Sequence, residues 1–231
     1  ISVGKKLLAH AQCMRVIVMG QRGITRSSIL SAISNRLNDT NESIFGYVPA
    51  VAGAYGPNYM VRHIAKSIRE INPGNIVSSA LSAEIPTVLV GKVSDICSLS
   101  ETGLINIPAI TTRETAEALQ VAINGDSRLI IANFQQVDLM GHARNVAQAA
   151  FELHAICAAI DALVKQLSDG DLLLVVADHG NDPNAPGNSH TTERVPLLVL
   201  SPPNAHVPNL NVDDLGVVRT LVAAHLNLRL E

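Results

Sequence analysis

An α/β fold built on a mostly parallel sheet is what this chain predicts, and three observations predict it. Short apolar runs rich in β-branched residues alternate with longer stretches whose apolar residues recur at helical spacing. The short runs lack polar alternation, as strands covered on both faces should. Residues able to bind metal collect just past the ends of two of these runs, where open α/β sheets place their ligands.

The strand-like runs lie at 15–19, 87–90, 129–134, 172–176 and 195–200. Between them the clearest helix covers 143–167. Its residues Val146, Ala150, Leu153, Cys157, Ile160, Val164 and Leu167 form one stripe, which should pack against the sheet. A shorter helix is predicted over 113–124, opened by a capping box of Thr111 and Glu114 and stopped at Gly125. Further helices are expected at 25–37, 58–71 and 213–226. Residues 39–58, rich in Asn, Gly and Pro, read as a connection between two lobes. Pro183, Pro186 and Gly187 place a tight loop before His190.

Bulk properties exclude several classes. With 231 residues, 47% hydrophobic and 16% charged, the chain can bury a core and is not a solvated tail. A net charge of −3 and the absence of any basic run or tryptophan give no basis for a nucleic-acid partner. Uninterrupted apolar runs are too short to span a bilayer, so no membrane partner is expected. Cys13, Cys97 and Cys157 are widely spaced and odd in number, which suggests neither a disulfide framework nor a thiolate zinc site. A reducing, cytoplasmic setting is the expectation.

Three segments carry chemistry. Asp178 and His179 follow the run at 172–176 directly, and both side chains reach one crevice only if the strand has ended; Gly180 makes that turn easy. Alone, the pair reads first as a hydrophilic turn after a strand. Asp138 and His142 are four residues apart where a loop enters a helix, with Gly141 between them, so they can converge on one ion. Alone, Asp138 fits a helix cap. His190, between Ser189 and Thr191, alone reads as a loop histidine. Together these five oxygen and nitrogen donors outnumber what one open metal site needs, and they suit two divalent ions. Sulfur-free donors accept Mn²⁺ or Mg²⁺ in one class of enzyme and Zn²⁺ in another.

Those residues also resemble a family. Asp138 to His142, Ala-Asp-His-Gly-Asn-Asp-Pro at 177–183 and His190-Thr with Val195-Pro196 are similar to the metal motifs of the alkaline-phosphatase superfamily. The likeness is greatest to its phosphopentomutase and cofactor-independent phosphoglycerate mutase branch, and Gly-Lys-Val-Ser-Asp-Ile at 91–96 strengthens it. The resemblance covers about residues 85–203. It implies a three-layer α/β/α sandwich carrying part of an inserted α/β cap, with residues 1–60 in the cap and 61–231 as the C-terminal part of the metal-binding core. It further implies that Asp138, His142 and His190 hold one metal, that Asp178 and His179 hold a second, and that Lys92 meets the phosphate. Two divalent ions, Mn²⁺ before Mg²⁺ or Zn²⁺, and a phosphorylated sugar substrate follow. The implied activity is a phosphomutase working through a phosphoenzyme. A phosphatase or phosphodiesterase on the same scaffold, or a non-catalytic metal-binding remnant, are the alternatives.

Two departures stand out. Asp138 and His142 are four residues apart, as in the phosphoglycerate mutases, where phosphopentomutases carry one more. The N-terminal Asp-x-x-Gly segment and the Thr or Ser nucleophile of the family are not recognisable before residue 85. The expectation is therefore a chain that begins inside the cap, lacks the first half of the core and is inactive by itself, with an N-terminal segment of the same protein as the missing partner.

Overall fold

The computed structural model describes residues 6, 9, 15–21, 59–65, 67–72, 74–97, 101–187, 189–201 and 214–230. The chain divides into two compact units, Ile1–Ile71 and Asn72–Glu231. The helix expected at 25–37 and the connection expected at 39–58 lie outside the described residues.

In the first unit, β1 (Arg15–Gln21) pairs antiparallel with β2 (Tyr59–Ala65), in register from Arg15↔Ala65 to Gln21↔Tyr59. A single helical turn, α1 (Ile68–Ile71), follows. The helix expected over 58–71 is therefore mostly a strand. Tyr59, Val61 and Ile64 favour extended backbone, and seven residues of pairing with β1 override a weak helical pattern.

The second unit centres on β3 (Thr87–Gly91). It lies between β4 (Leu104–Ile107) and β5 (Leu129–Asn133), parallel to both. Every residue of β3 is buried, the pattern expected of a strand with helices on both faces. On one face Val88, Val90 and Ile130 pack with Ala118 and Ala122 of α4 (Thr112–Ile123). On the other, Leu129 and Ile131 pack with Ala80 of α2 (Ile76–Ser82) and with Val222 and Leu226 at the end of α7 (Gly216–His225). The result is a helix–sheet–helix sandwich, as the sequence predicts.

Helix ends are explained locally. Asn75 caps α2 by accepting from the Ser78 N–H at 2.9 Å. The expected capping box at α4 is present: Thr111 accepts from the Glu114 N–H at 3.2 Å, and Glu114 accepts from the Thr111 N–H at 2.9 Å. At the end of β3, Gly91 has φ +78°, and a Cβ there would lie 2.8 Å from the Asn133 carbonyl oxygen. Only glycine permits that turn and that approach. The turn delivers Lys92 as the first residue of α3 (Lys92–Cys97), beside the end of β5.

Two further expectations need correction. The long helix begins later, as α6 (Val146–Val164), because α5 (Gln136–His142) ends first at Arg144, whose φ is +55°. The stripe predicted to pack against the sheet is largely exposed at Val146, Ala150, Leu153, Cys157 and Val164. Instead Ala149 and Leu163 are buried, and Glu152 accepts from the Thr112 hydroxyl of α4 at 2.6 Å. A helix apolar on several sides does not reveal from spacing which side is covered. By length and composition α6 also passes for a membrane span, against the expectation from uninterrupted runs. It carries Glu152, His154 and Asp161, and its contacts are with α4 and α5. β6 (Leu173–Val176) and β7 (Leu197–Leu200) form a separate antiparallel pair, so here the expected double cover is not found.

Candidate metal centre

α5 brings the first two candidate ligands together. Asp138 lies in its first turn and His142 in its last, one helical turn apart and thus on one face. The cap position belongs to Gln135, so the Asp138 carboxylate is not spent on capping. It lies 3.3 Å from His142 through Oδ1 and Nε2. Arg144 donates its N–H to Gly141 and Asn145 donates to Met140, which closes α5 behind the ligands.

The third ligand arrives from the β6–β7 arm. Beyond β6 the two chains meet again at a bridge between Gly180 and Thr191, where the Thr191 N–H donates to the Gly180 carbonyl at 2.9 Å. Continuing that register makes His179 and His190 diagonal neighbours on one face. Their rings stack, with centroids 3.5 Å apart and planes inclined by 16°. The bridge thus carries His190 to α5, with its Nε2 3.5 Å from Asp138 Oδ1 and 3.1 Å from His142 Nε2.

These three atoms form a triangle with edges of 3.1, 3.3 and 3.5 Å. A metal–ligand bond of about 2.1 Å sets neighbouring ligands about 3.4 Å apart in a tetrahedron and about 3.0 Å apart in an octahedron. The triangle matches one face of such a shell. Asp138, His142 and His190 are also the group that satisfies metal-ligand proximity among the described residues. An anionic oxygen and two imidazole nitrogens suit a divalent cation of the Mn²⁺ or Zn²⁺ type.

The other predicted residues lie outside the triangle. His179 touches it through its stack on His190, and its Nε2 is 3.5 Å from Asp178 Oδ2. Asp178 itself is 76% exposed. Lys92 starts α3 at the carboxyl edge of the parallel strands, the same edge from which β5 runs on toward Asp138.

One residue had no predicted role. The Asn181 amide donates to Asp138 twice, to Oδ1 at 2.7 Å and to its main-chain oxygen at 3.0 Å. The available signal was its place in Ala-Asp-His-Gly-Asn, two residues past the histidine, but nothing in the spacing names its partner 43 residues earlier.

The sequence pattern described as "Metalloenzyme superfamily" matches residues 62–230. The chain belongs to the metalloenzyme superfamily. Its curated relatives include the phosphopentomutase of Methylobacterium sp. (strain 4-46), 33% identical over 211 residues, which are 90% of this chain and 52% of that one. The phosphopentomutase of Mycoplasmopsis pulmonis is 34% identical, over 54% of this chain and 32% of its own. That of Aliivibrio fischeri (strain ATCC 700601 / ES114) is 38% identical, over 48% and 28%. The chain thus spans about half or less of the length of these relatives. Superfamily membership makes divalent-metal binding the chemistry of the chain, and the donor triangle fits it.

Proposed function

We propose that this chain is part of a metal-dependent phosphomutase of phosphopentomutase type, which moves a phosphoryl group within a sugar phosphate through a phosphoenzyme. The observation that carries the reading is the Asp138–His142–His190 triangle in a chain whose relatives are phosphopentomutases.

In this reading Asp138, His142 and His190 hold one divalent ion, Mn²⁺ first among candidates. Asp178 and His179 supply part of the shell of a second. When bound, such ions neutralise charge on the transferring phosphoryl oxygens. The stack on His179 fixes the ring plane of His190, which keeps its Nε2 aimed at Asp138. Lys92 offers an ammonium at the strand end as counter-ion for a phosphoryl oxygen. The nucleophilic hydroxyl and the remaining ligand of the second ion belong to polypeptide corresponding to the further length of the relatives. That polypeptide also covers the exposed apolar residues of α6, β6 and β7, while residues 1–60 form part of the cap. The setting is the cytoplasm, where Cys97 and Cys157 remain thiols.

The test is a Mn²⁺ titration followed by electron paramagnetic resonance, with ribose 1-phosphate then supplied as substrate. One ion should bind the 231-residue chain, Asp138→Ala should abolish it, and neither ribose 5-phosphate nor free phosphate should form. Absence of Mn²⁺ binding at millimolar concentration would remove the metal-centre reading. Release of free phosphate would replace the mutase with a phosphatase.

A further inference from the structure

We infer that Asn181 is a positioning residue for Asp138, and that its amide sets the affinity of the centre for a divalent ion. This inference rests on the metal-centre reading above.

Asp138 sits at the surface of a two-turn helix, and its side chain is 37% exposed. A carboxylate so placed would sample several rotamers, and each unproductive rotamer weakens ion binding by its population. Asn181 removes that freedom. Its NH₂ group has two hydrogens, and both go to the same residue, one to Oδ1 and one to the main-chain oxygen. Tying side chain and main chain together through one planar group fixes the carboxylate relative to its own helix. The oxygen that Asn181 holds is the same Oδ1 that faces both imidazoles. One lone pair accepts the amide while the remainder of the oxygen is presented to the triangle.

The residue type matters. An ammonium in this place would compete with the ion, and a carboxylate would repel Asp138; a neutral amide donor does neither. Turning the amide over would set its oxygen against two acceptors, so the donor orientation follows from the network itself.

Space around the amide is also reserved. Gly141, buried inside α5 between the two ligands, would drive a Cβ into the Asn181 Cγ and Oδ1. The glycine gives Asn181 its seat. Asn181 in turn follows Gly180, which bridges Thr191 next to His190, and the Asp182 N–H donates to the Thr191 hydroxyl at 3.1 Å. A continuous tie therefore runs from Asp138 through Asn181 and Gly180 to Thr191 and His190, and it links ligands 52 positions apart in the chain.

Mn²⁺ affinity of the full chain, read from the free-ion resonance signal, tests this. Loss of an outer-shell partner should weaken binding about 10–100-fold in Asn181→Leu and Asn181→Ala, with apo far-UV circular dichroism retained. Gly141→Ala should produce a loss of similar size in the native background and little further loss on Asn181→Ala, because both remove the same contact. Should the Asn181 variants unfold, folded Gly141→Ala decides alone, and affinity kept within about twofold there would overturn the inference. Affinity kept within about twofold in folded Asn181→Leu would also overturn it while leaving the centre standing. An unmutated chain that binds no Mn²⁺ would overturn both.

Discussion

All five residues of β3 are buried, whereas β6 and β7, richer still in Leu and Val, leave Val176, Leu198, Val199 and Leu200 exposed. The two regions lie in one compact unit and share residue types. What separates them is cover. β3 has hydrogen-bonded neighbours on both edges and helices on both faces, while β6 and β7 are hydrogen-bonded as strands to each other. α6 also leaves Phe151 and Leu153 exposed. The open arm is also the one that carries Asp178, His179 and His190. The donor triangle thus joins this arm to α5.

Truncations in the two regions should differ most. Leu89 is 0% exposed and Leu198 61%. Leu89→Ala should cost about 2–5 kcal/mol in urea unfolding, through lost burial and the cavity left behind. Leu198→Ala should stay within about 0.5 kcal/mol, as surface changes do. Equal costs would break the comparison, and would mean that the β6–β7 arm is covered in solution.

A bound ion should narrow the difference. Anything that binds the folded state alone stabilises it by mass action, about 2.7 kcal/mol at 100 times the dissociation constant. Two of the three ligands are on α5 and one is on the arm, so the gain should concentrate in amide protection at 136–142 and 177–191. β3 amides, already exchanging only through larger openings, should change less. Asp138→Ala should remove the effect. Uniform protection throughout the second unit would show instead that the arm and the sheet already open together.

How much of this was legible varies with the range of the interaction. The capping box of Thr111 and Glu114 lies within four residues, and its reading held to the atom. β3 and β5 were legible because strands covered on both faces are uniformly apolar, a signal that needs no knowledge of partners. β4 was not, since Leu104, Asn106 and the exposed Ile105 make a short, mixed edge. The covered side of α6 was misread because its apolar residues surround most of the helix. For the centre, residue types and spacing pointed to five donors, and the family resemblance grouped Asp138, His142 and His190 among them. The bridge between Gly180 and Thr191 that assembles them is a backbone feature with no composition of its own. Asn181 was invisible for the same reason.

The smallest effect lies in the first turn of α4, at the exposed Glu114. Its carboxyl is held below the ordinary value of 4.5, first by the Thr111 N–H and then by the Ile110 N–H, which donate at 2.9 and 3.0 Å. A carboxylate whose folded pKa is depressed contributes stability that is present above its unfolded pKa and fades as pH falls through the folded one. The contribution should be whole near neutrality and decline below about pH 4.5. Glu114→Ala should therefore lower the thermal midpoint most near neutrality, with the gap from the unmutated chain closing as acid protonates the carboxyl. The consequence reaches beyond the helix. The Ile110 carbonyl accepts from the side chains of Gln135 and Gln136, at the turn that opens α5. Loosening the cap should therefore raise amide exchange at 135–138 before it reaches β3. A gap between mutant and native midpoints that stays constant from pH 7 down to about pH 3.5 would show that Glu114 acts through contacts that do not depend on its charge.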